Sequence, residues 1–502
     1  MFDTDAAYLA VKARDARFDG RFFVAVTSTG IYCRPICRVR TPRRENCRFF
    51  DTAAQAEAQH FRPCLKCRPE IAPGARLAWS VMDASRTLAL QAARWLDEHA
   101  SNSQDTSIES LAQTLGVTDR HLRRIFAAEH GVTPVQYLQT RRLLMAKQLL
   151  TDTALPVTQV ALVSGFGSLR RFNSAFAERY RLNPRQLRKR IEQRPLPAED
   201  APITLHLAYR EPYQISAMLA FLNQRAIPGV EFASSGGREP FIRRSLRWAH
   251  EGQQLEGALQ VRFVPDRALV ALDLSSALAP ASAAIIRLVR RWLDLDAMPD
   301  VIDAALHDLP FAGARLPGSI DTFEMTVRAV LGQQVTVASA RTLATRLVQR
   351  FGTPIATPWA EVDRVFPSPA VLSACSLSDV AELGIVRQRA AAILAIATQW
   401  SELARTLGSA HAPEMLLTQL QALPGVGPWT AHYIAMRALA WPDAFPPGDV
   451  AVLKAMAALC GTGSTREADL RARAWSPWRA YAVVRLWASL RAPAPLITES
   501  ST

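Results

Sequence analysis

Four cysteines near the N-terminus, Cys33, Cys37, Cys64 and Cys67, constrain this chain more than any other feature. They form a CxxxC and a CxxC separated by 26 residues, and four thiolates so arranged can close a tetrahedron around zinc. The chain has seven cysteines in all, so placing four of them here predicts a small module built around one Zn2+ ion. Spacing alone reads as a structural zinc site. The surroundings suggest more. Arg34, Arg38, Arg40, Arg43, Arg44 and Arg48 crowd the first pair, and Arg62, Lys66 and Arg68 flank the second. Zinc thiolates are nucleophilic and arginines attract phosphates, so the pattern suggests thiolate chemistry on nucleic acid. Cys47 falls outside the pattern and reads as a small buried apolar residue.

At 502 residues the chain exceeds one core and predicts several domains. The net charge of +14 is uneven. Residues 1–70 carry 13 basic and 8 acidic side chains, 71–195 carry 18 and 10, and 196–502 carry 28 and 27. The basic excess of the first 195 residues is the footprint of a polyanion binder. No apolar run is long enough to cross a membrane, so no membrane partner is expected. The acidic Met1–Asp5 start is unlike a signal peptide, and clustered cysteines without one favour metal ligation in the cytoplasm over disulfides.

These features predict a multidomain α+β chain of four units: a small zinc-bound α/β module at 1–75, an all-α unit at 78–192, an α+β unit at 200–310 and an all-α unit at 311–495. Linkers are expected at Ala72-Pro73-Gly74 and Arg194–Ala198. Strands are expected at Phe22–Val26, Cys47–Phe50, Ile203–Tyr209, Ile242–Trp248 and Leu259–Phe263. In the second unit Ile108–Leu115, a Gly116 turn and Asp119–Glu129 read as helix-turn-helix, with Arg120, Arg123 and Arg124 outward. The pattern recurs at Val157–Ser164, Gly165-Phe166-Gly167 and Ser168–Tyr180, with Arg170 and Arg171 outward. Arg141 and Arg142 are expected to begin the connecting helix. Two such units on one linker can present two recognition helices to adjacent major-groove faces of double-stranded DNA.

Three strings carry family resemblances. Thr29-Gly30-Ile31-Tyr32-Cys33-Arg34-Pro35-Ile36-Cys37-Arg38 and Phe61-Arg62-Pro63-Cys64-Leu65-Lys66-Cys67, with Arg43-Arg44-Glu45-Asn46 between them, closely resemble the N-terminal domain of the bacterial Ada family. That resemblance implies zinc on Cys33, Cys37, Cys64 and Cys67. It also implies that Cys33 accepts a methyl group from a DNA methylphosphotriester, with Arg34, Arg43 and Arg44 on the DNA. The second unit, through Phe166-Gly167-Ser168, Phe172, Phe176, Tyr180 and Asn183-Pro184-Arg185-Gln186, resembles AraC-type regulators. This implies promoter DNA and RNA polymerase as partners.

In the C-terminal half, Leu423-Pro424-Gly425-Val426-Gly427-Pro428-Trp429-Thr430-Ala431 reads as a glycine hairpin opening a helix. Its glycines let backbone approach a phosphate, and the helix start points N–H groups at it. Asp449 lies 20 residues beyond Trp429. With Arg315–Gly318, Phe323-Glu324, Leu331–Val335, Trp475–Arg479 and Trp487, these strings resemble AlkA-type 3-methyladenine DNA glycosylases of the helix-hairpin-helix superfamily. The resemblance implies a TATA-box-protein-like α+β domain at 200–310. It also implies Asp449 as catalyst, a base pocket of Trp429, Tyr433 and Trp487, DNA contacts at Gly425, Gly427, Thr430 and Gln333, and Gln334 near the side chain wedged into the stack. Gly448 stands where that family has a second acidic residue. Related lyases carry a lysine two residues after the hairpin's second glycine; Trp429 stands there, which implies a monofunctional hydrolase. Cys375 and Cys460 are too few for an iron–sulfur cluster, and no redox cofactor is expected. The expected function is a fused alkylation-damage sensor, transcription regulator and DNA glycosylase. The rival readings are a DNA-binding regulator with structural zinc and an inactive glycosylase-like half, and a glycosylase tethered to DNA by its N-terminal half.

Overall fold

The computed structural model describes residues 3–74, 84–101, 106–189, 202–236, 239–250, 252–409, 413–461 and 464–491. The expected linker at Arg194–Ala198 lies outside them. The cysteine module opens with helix α1 (Thr4–Ala13). Its sheet has the order β3-β1-β2-β4, formed by β1 (Phe23–Val26), β2 (Ile31–Cys33), β3 (Cys47–Phe50) and β4 (Arg62–Pro63), with helix α2 (Ala53–Ala58) before β4. Strand alternation sorts the side chains. Val24 and Cys33 join the other cysteines under Ala7, Ala10 and Val11 of α1, whereas Phe23, Ala25 and Tyr32 pack on the opposite face against Ala56 of α2 and Phe61.

The second unit consists of α3 (Ala84–His99), α4 (Ile108–Thr114), α5 (Asp119–His130), α6 (Pro134–Asp152), α7 (Val157–Val163), α8 (Leu169–Tyr180) and α9 (Pro184–Lys189). The Thr118 and Ser168 hydroxyls cap α5 and α8 by accepting the His121 and Arg171 N–H groups. Leu122, Ile125 and Phe126 of α5 and Phe172, Phe176 and Tyr180 of α8 are buried. Gly165 has φ +84, and a Cβ there would lie 2.0 Å from the Ala100 carbonyl oxygen, so this turn requires glycine. The connecting helix α6 begins at Pro134 rather than at Arg141. A capping box between Thr133 and Gln136, followed by proline at the first helical position, starts it there.

The third unit is a five-stranded antiparallel sheet of order β5-β9-β8-β7-β6. Its strands are β5 (Ile203–Ala208), β6 (Glu231–Ser234), β7 (Phe241–His250), β8 (Gln253–Val264) and β9 (Leu269–Leu274), with helices α10 (Ile215–Arg225) and α11 (Ser282–Trp292). Helix α12 (Pro299–Ala305) ends the third unit, and the last unit is mainly helical: α13 (Thr322–Leu331), α14 (Val337–Phe351), α15 (Pro369–Ser373), α16 (Leu377–Ala381), α17 (Arg387–Ser409), α18 (Pro413–Gln421), α19 (Pro428–Arg437), α20 (Val450–Cys460), α21 (Thr465–Ala472) and α22 (Arg479–Ser489). A small ribbon, β10 (Thr353–Pro354) with β11 (Arg364–Val365), interrupts the expected all-helical pattern; strands of two residues leave no periodicity to read. Among the described residues no helix is long and apolar enough to cross a membrane.

The units are joined by buried polar contacts. The Pro73-Gly74 segment, expected as a free linker, is held: Arg210 donates to the carbonyls of Pro73, Gly74, Asp19, Asp296 and Ala297. At the boundary with the second unit, Glu57 of α2 is fully buried. Burial raises its pKa from the ordinary 4.5 to about 7, against the lowering pull of Arg179, Tyr32, Thr140 and Lys147. The folded protein therefore binds a proton here that the unfolded chain releases, so stability falls as pH rises from about 4.5 through about 7. The loss amounts to up to about 3 kcal/mol. Thermal midpoints measured across that window should decline less in Glu57→Gln than in the wild type; parallel declines would place the titration elsewhere.

Candidate metal centre and candidate active site

Cys33 ends β2, and Cys37 follows one turn later, its N–H donating to the Arg34 carbonyl at 3.1 Å. Cys64 follows β4, its N–H donating to the Tyr32 carbonyl at 2.9 Å. This ties the second pair to the strand that carries the first. With Cys67, the four sulfurs all lie within 4.8 Å of one another. A zinc–sulfur bond of about 2.3 Å sets tetrahedral edges of about 3.8 Å, so the set fits one zinc ion. Four thiolates this close repel one another unless a cation sits among them. Cys33, Cys37 and Cys64 are buried, and Cys67 is more open.

Arg34 is not on the surface, where a DNA contact would need it. It is 4% exposed. Its Nε donates to Asp19 Oδ1 at 2.8 Å, its Nη1 to the Cys67 carbonyl at 3.1 Å, and its backbone N–H points at Cys67 Sγ at 3.4 Å. It braces the cluster instead. Arg43 is exposed, 3.8 Å from Glu45. Arg44 pairs with Asp5 at 3.0 Å and lies against the Phe49 ring. The Cys47 thiol donates to the Arg43 carbonyl, and burial raises its pKa.

On the second unit Arg120, Arg123, Arg124, Arg170 and Arg171 are all exposed. Arg123 is partly engaged by Asp119 one turn back, at 2.9 Å. Arg120 and Arg124 flank it on α5, and Arg170 and Arg171 occupy the first turn of α8.

In the C-terminal half Asp449 is the N-cap of α20, 8% exposed. Its Oδ1 accepts the Val452 N–H at 2.9 Å and the Trp487 indole N–H at 3.2 Å, and its Oδ2 accepts the Trp429 indole N–H at 2.9 Å. The carboxylate is thus held from two sides by the edges of two tryptophans. Trp429 stacks on Tyr433 with centroids 5.1 Å apart, and Tyr433 faces Trp487 at 6.3 Å. The structure brings Asp449, Trp429, Tyr433 and Trp487 into one cluster from three helices. Phe221, Arg225 and Arg437 complete it. Phe221 stacks on Trp487 at 6.1 Å, Arg225 lies 3.7 Å over Phe221, and Arg437 donates to the Tyr433 hydroxyl at 2.9 Å. No motif marks these three, because Phe221 and Arg225 come from the α+β unit and meet the pocket only through tertiary packing. Burial raises the Tyr433 pKa, but the charges of Arg437, Arg225 and Arg328 outweigh it and leave it below the ordinary value.

The hairpin is organised around Gly425, at φ +75, and Gly427, which caps α19. Two residues expected on DNA are turned inward. Gln333 donates to the Gly425 carbonyl at 2.7 Å and to the Thr430 hydroxyl at 2.9 Å, and Thr430 is buried. Both side chains shape the hairpin. The exposed hairpin backbone is what remains to meet a phosphate. Gln334 is exposed, with φ +51, in the turn after α13.

Four family models match in chain order: the metal binding domain of Ada at residues 6–70, a helix-turn-helix domain at 111–190, the AlkA N-terminal domain at 204–321, and the HhH-GPD superfamily base excision DNA repair protein at 327–480. The DNA-3-methyladenine glycosylase 2 of Escherichia coli is 33% identical over 285 residues, covering 56% of this chain and 95% of that protein. The bifunctional transcriptional activator/DNA repair enzyme Ada of Escherichia coli is 35% identical over 162 residues, covering 32% of this chain and 42% of that one. The probable bifunctional transcriptional activator/DNA repair enzyme AlkA of Mycobacterium tuberculosis is 35% identical over 507 residues, covering 98% of this chain and 97% of that protein. With that identity along nearly the whole of both chains, this chain belongs to the family of bifunctional transcriptional activator/DNA repair enzymes of the AlkA type.

Proposed function

We propose that the two sites divide the work of one alkylation-damage response protein: a DNA glycosylase that releases alkylated purines, and a methyl acceptor joined to a transcription-regulating helix-turn-helix unit. The observation that most supports the glycosylase assignment is the Asp449 carboxylate fixed by two indole N–H groups at the edge of an aromatic cluster. An N-alkylated purine leaves readily because it departs as a neutral base. The protein's part is to hold the everted nucleotide and stabilise positive charge on the sugar as the bond breaks. Asp449 supplies the negative charge and orients the incoming water. Aromatic faces favour a cationic base by about 0.5–2 kcal/mol each. Arg225 and Arg437 oppose that gain at the Tyr433 edge, so charge alone does not select the substrate.

In the N-terminal module, zinc held by Cys33, Cys37, Cys64 and Cys67 would keep the acceptor thiol deprotonated at neutral pH. Cys33 Sγ bonds to the methyl carbon, the carbon–oxygen bond of the triester breaks, and the departing phosphodiester keeps the electron pair. The thioether is stable, so each chain reacts once. Exposed arginines of α5 and α8 would address promoter DNA, with RNA polymerase as a partner, in the cytoplasm.

The glycosylase is expected to act without a covalent intermediate. Trp429 stands where lyases need a lysine, and the only lysine after residue 195, Lys454, is on the exposed side of α20. Borohydride added during reaction with alkylated duplex should trap no protein–DNA adduct, while free base accumulates. A trapped complex would overturn the hydrolase assignment, and no free base at all would favour the rival reading of an inactive glycosylase-like half.

A further inference from the structure

Helix α2 belongs to the cysteine module, yet its polar side chains reach the second unit at three places. Gln55 Nε2 donates to the His130 carbonyl, the last of α5, at 3.0 Å. Glu57 Oε2 accepts the Thr140 hydroxyl of α6 at 3.1 Å and lies 3.7 Å from Arg179 Nε near the end of α8. Arg179 also donates to the Glu57 carbonyl oxygen. Glu57 is fully buried, and its other oxygen accepts the Tyr32 hydroxyl at 3.0 Å. Tyr32 precedes Cys33 on β2, so the strand carrying the acceptor is one hydrogen bond from this junction. The fit at α5 is close: a Cβ on Gly131 would lie 2.9 Å from Gln55 Nε2.

One short helix therefore grips the C-terminal ends of both α5 and α8, the ends opposite their arginine-bearing first turns. The connecting helix α6 and the close approach of the Gly165 turn to Ala100 join the two units at one side and leave the far ends of α5 and α8 without a tie of their own. A further strut between those far ends fixes how far apart, and at what angle, the reading ends lie. We propose that α2, through Gln55 and Glu57, determines the spacing at which α5 and α8 read DNA. Both are then specificity-determining residues for DNA recognition, although neither touches DNA. This rests on the reading of α5 and α8 as recognition helices.

The test is selection from a randomised duplex library by the full-length, zinc-loaded protein. The wild type should enrich duplexes with two motifs at a single spacing, about one helical turn of ~10 base pairs. Gln55→Glu keeps the oxygen that caps the Asp51 and Thr52 N–H groups, but replaces the donor to His130 with an oxygen facing a carbonyl. Selection is run above about pH 7, where Glu57 is ionised and Glu57→Gln removes the charge that faces Arg179. The double variant should enrich the same two motifs spread over several spacings. Lost stability would lower the amount of DNA bound but would not change the spacing. An unchanged single spacing would overturn the proposal. A wild type enriching only one motif would instead overturn the reading of both helices as readers, and the proposal with it. Should the double variant fail to hold zinc or melt cooperatively, Gln55→Glu alone decides, since its helix cap is intact.

Discussion

Asp449→Asn is expected to cut release of 3-methyladenine from alkylated duplex at least about a hundred- to a thousandfold, as loss of one preorganised electrostatic contact does elsewhere. The loss should fall on kcat, with affinity for duplex DNA near the wild-type value. The substitution changes little else. Asparagine is as good an N-cap as aspartate, so the Val452 N–H keeps its acceptor and α20 keeps its start. The change is at the second oxygen. Trp429 and Trp487 each donate an N–H to the carboxylate, and an amide can accept from only one of them while its NH2 opposes the other. The variant thus loses the negative charge and part of what orients it, while the hairpin at Gly425 and Gly427, held by Gln333, is untouched. Free base is measured by chromatography in single-turnover reactions, with duplex affinity measured in parallel. Undiminished release would remove Asp449 as catalyst. Equal losses of release and of DNA binding would mean a disturbed fold rather than a lost charge.

Which parts of this arrangement could be read in advance follows from the range of the interaction. The cysteine cluster is local in sequence: two pairs with short spacers can meet around one ion with little demand on the rest of the chain, and the sulfurs do lie within 4.8 Å. The glycine hairpin and the alternating helix faces of the second unit are likewise short-range patterns. The direction in which a polar side chain points is not. Arg34 looks like its neighbours in a basic string, yet Asp19, 15 residues earlier, draws it inward under the cluster. Gln333 and Thr430 are 97 residues apart, and their hydrogen bond exists only because α13 packs against the hairpin. Trp429 and Trp487 were legible as aromatic faces, but their N–H edges on Asp449 require three helices to converge. Strand β9 is buried at every position and lacks the alternation that marks a half-exposed strand, which hid it among apolar residues. The grip of α2 on α5 and α8 was invisible for the same reason: Gln55 and Glu57 sit in an ordinary short helix, and their partners lie 75 and 122 residues away.

DNA carrying methylphosphotriesters, incubated with the zinc-loaded chain, is expected to add one methyl mass per chain to the peptide containing Cys33, and to stop there. The thioether cannot release the methyl, so the yield should saturate at one equivalent. Two variants separate acceptor from scaffold. Cys33→Ser leaves three sulfurs to hold the ion and should abolish transfer while the module stays folded. Cys64→Ser also leaves three sulfurs, and the backbone N–H of residue 64 still reaches the Tyr32 carbonyl, so it should weaken zinc binding while Cys33 remains an acceptor. Apparent binding energies of roughly 10–16 kcal/mol for structural zinc are folding energies, so chelation should destabilise the cysteine module. The sheet there is small and the ligands are part of the core on one of its faces, so removing the metal takes away a share of what holds it. The competing sulfur is that of Cys67, the one residue of the four that is only partly buried. Its neighbour Arg34 directs both a backbone N–H at that sulfur and a guanidinium at that carbonyl. Hydrogen-bond donation to a thiolate lowers its nucleophilicity, so Cys67 is the less reactive of the two sulfurs. Mass on the Cys67 peptide would move the acceptor there, and no added mass on any cysteine would leave the four as a structural zinc site. Where transfer does occur, the cluster's formal charge rises from −2 to −1, repulsion from DNA phosphates weakens, and duplex affinity should increase at low salt, with the gain shrinking as salt is added.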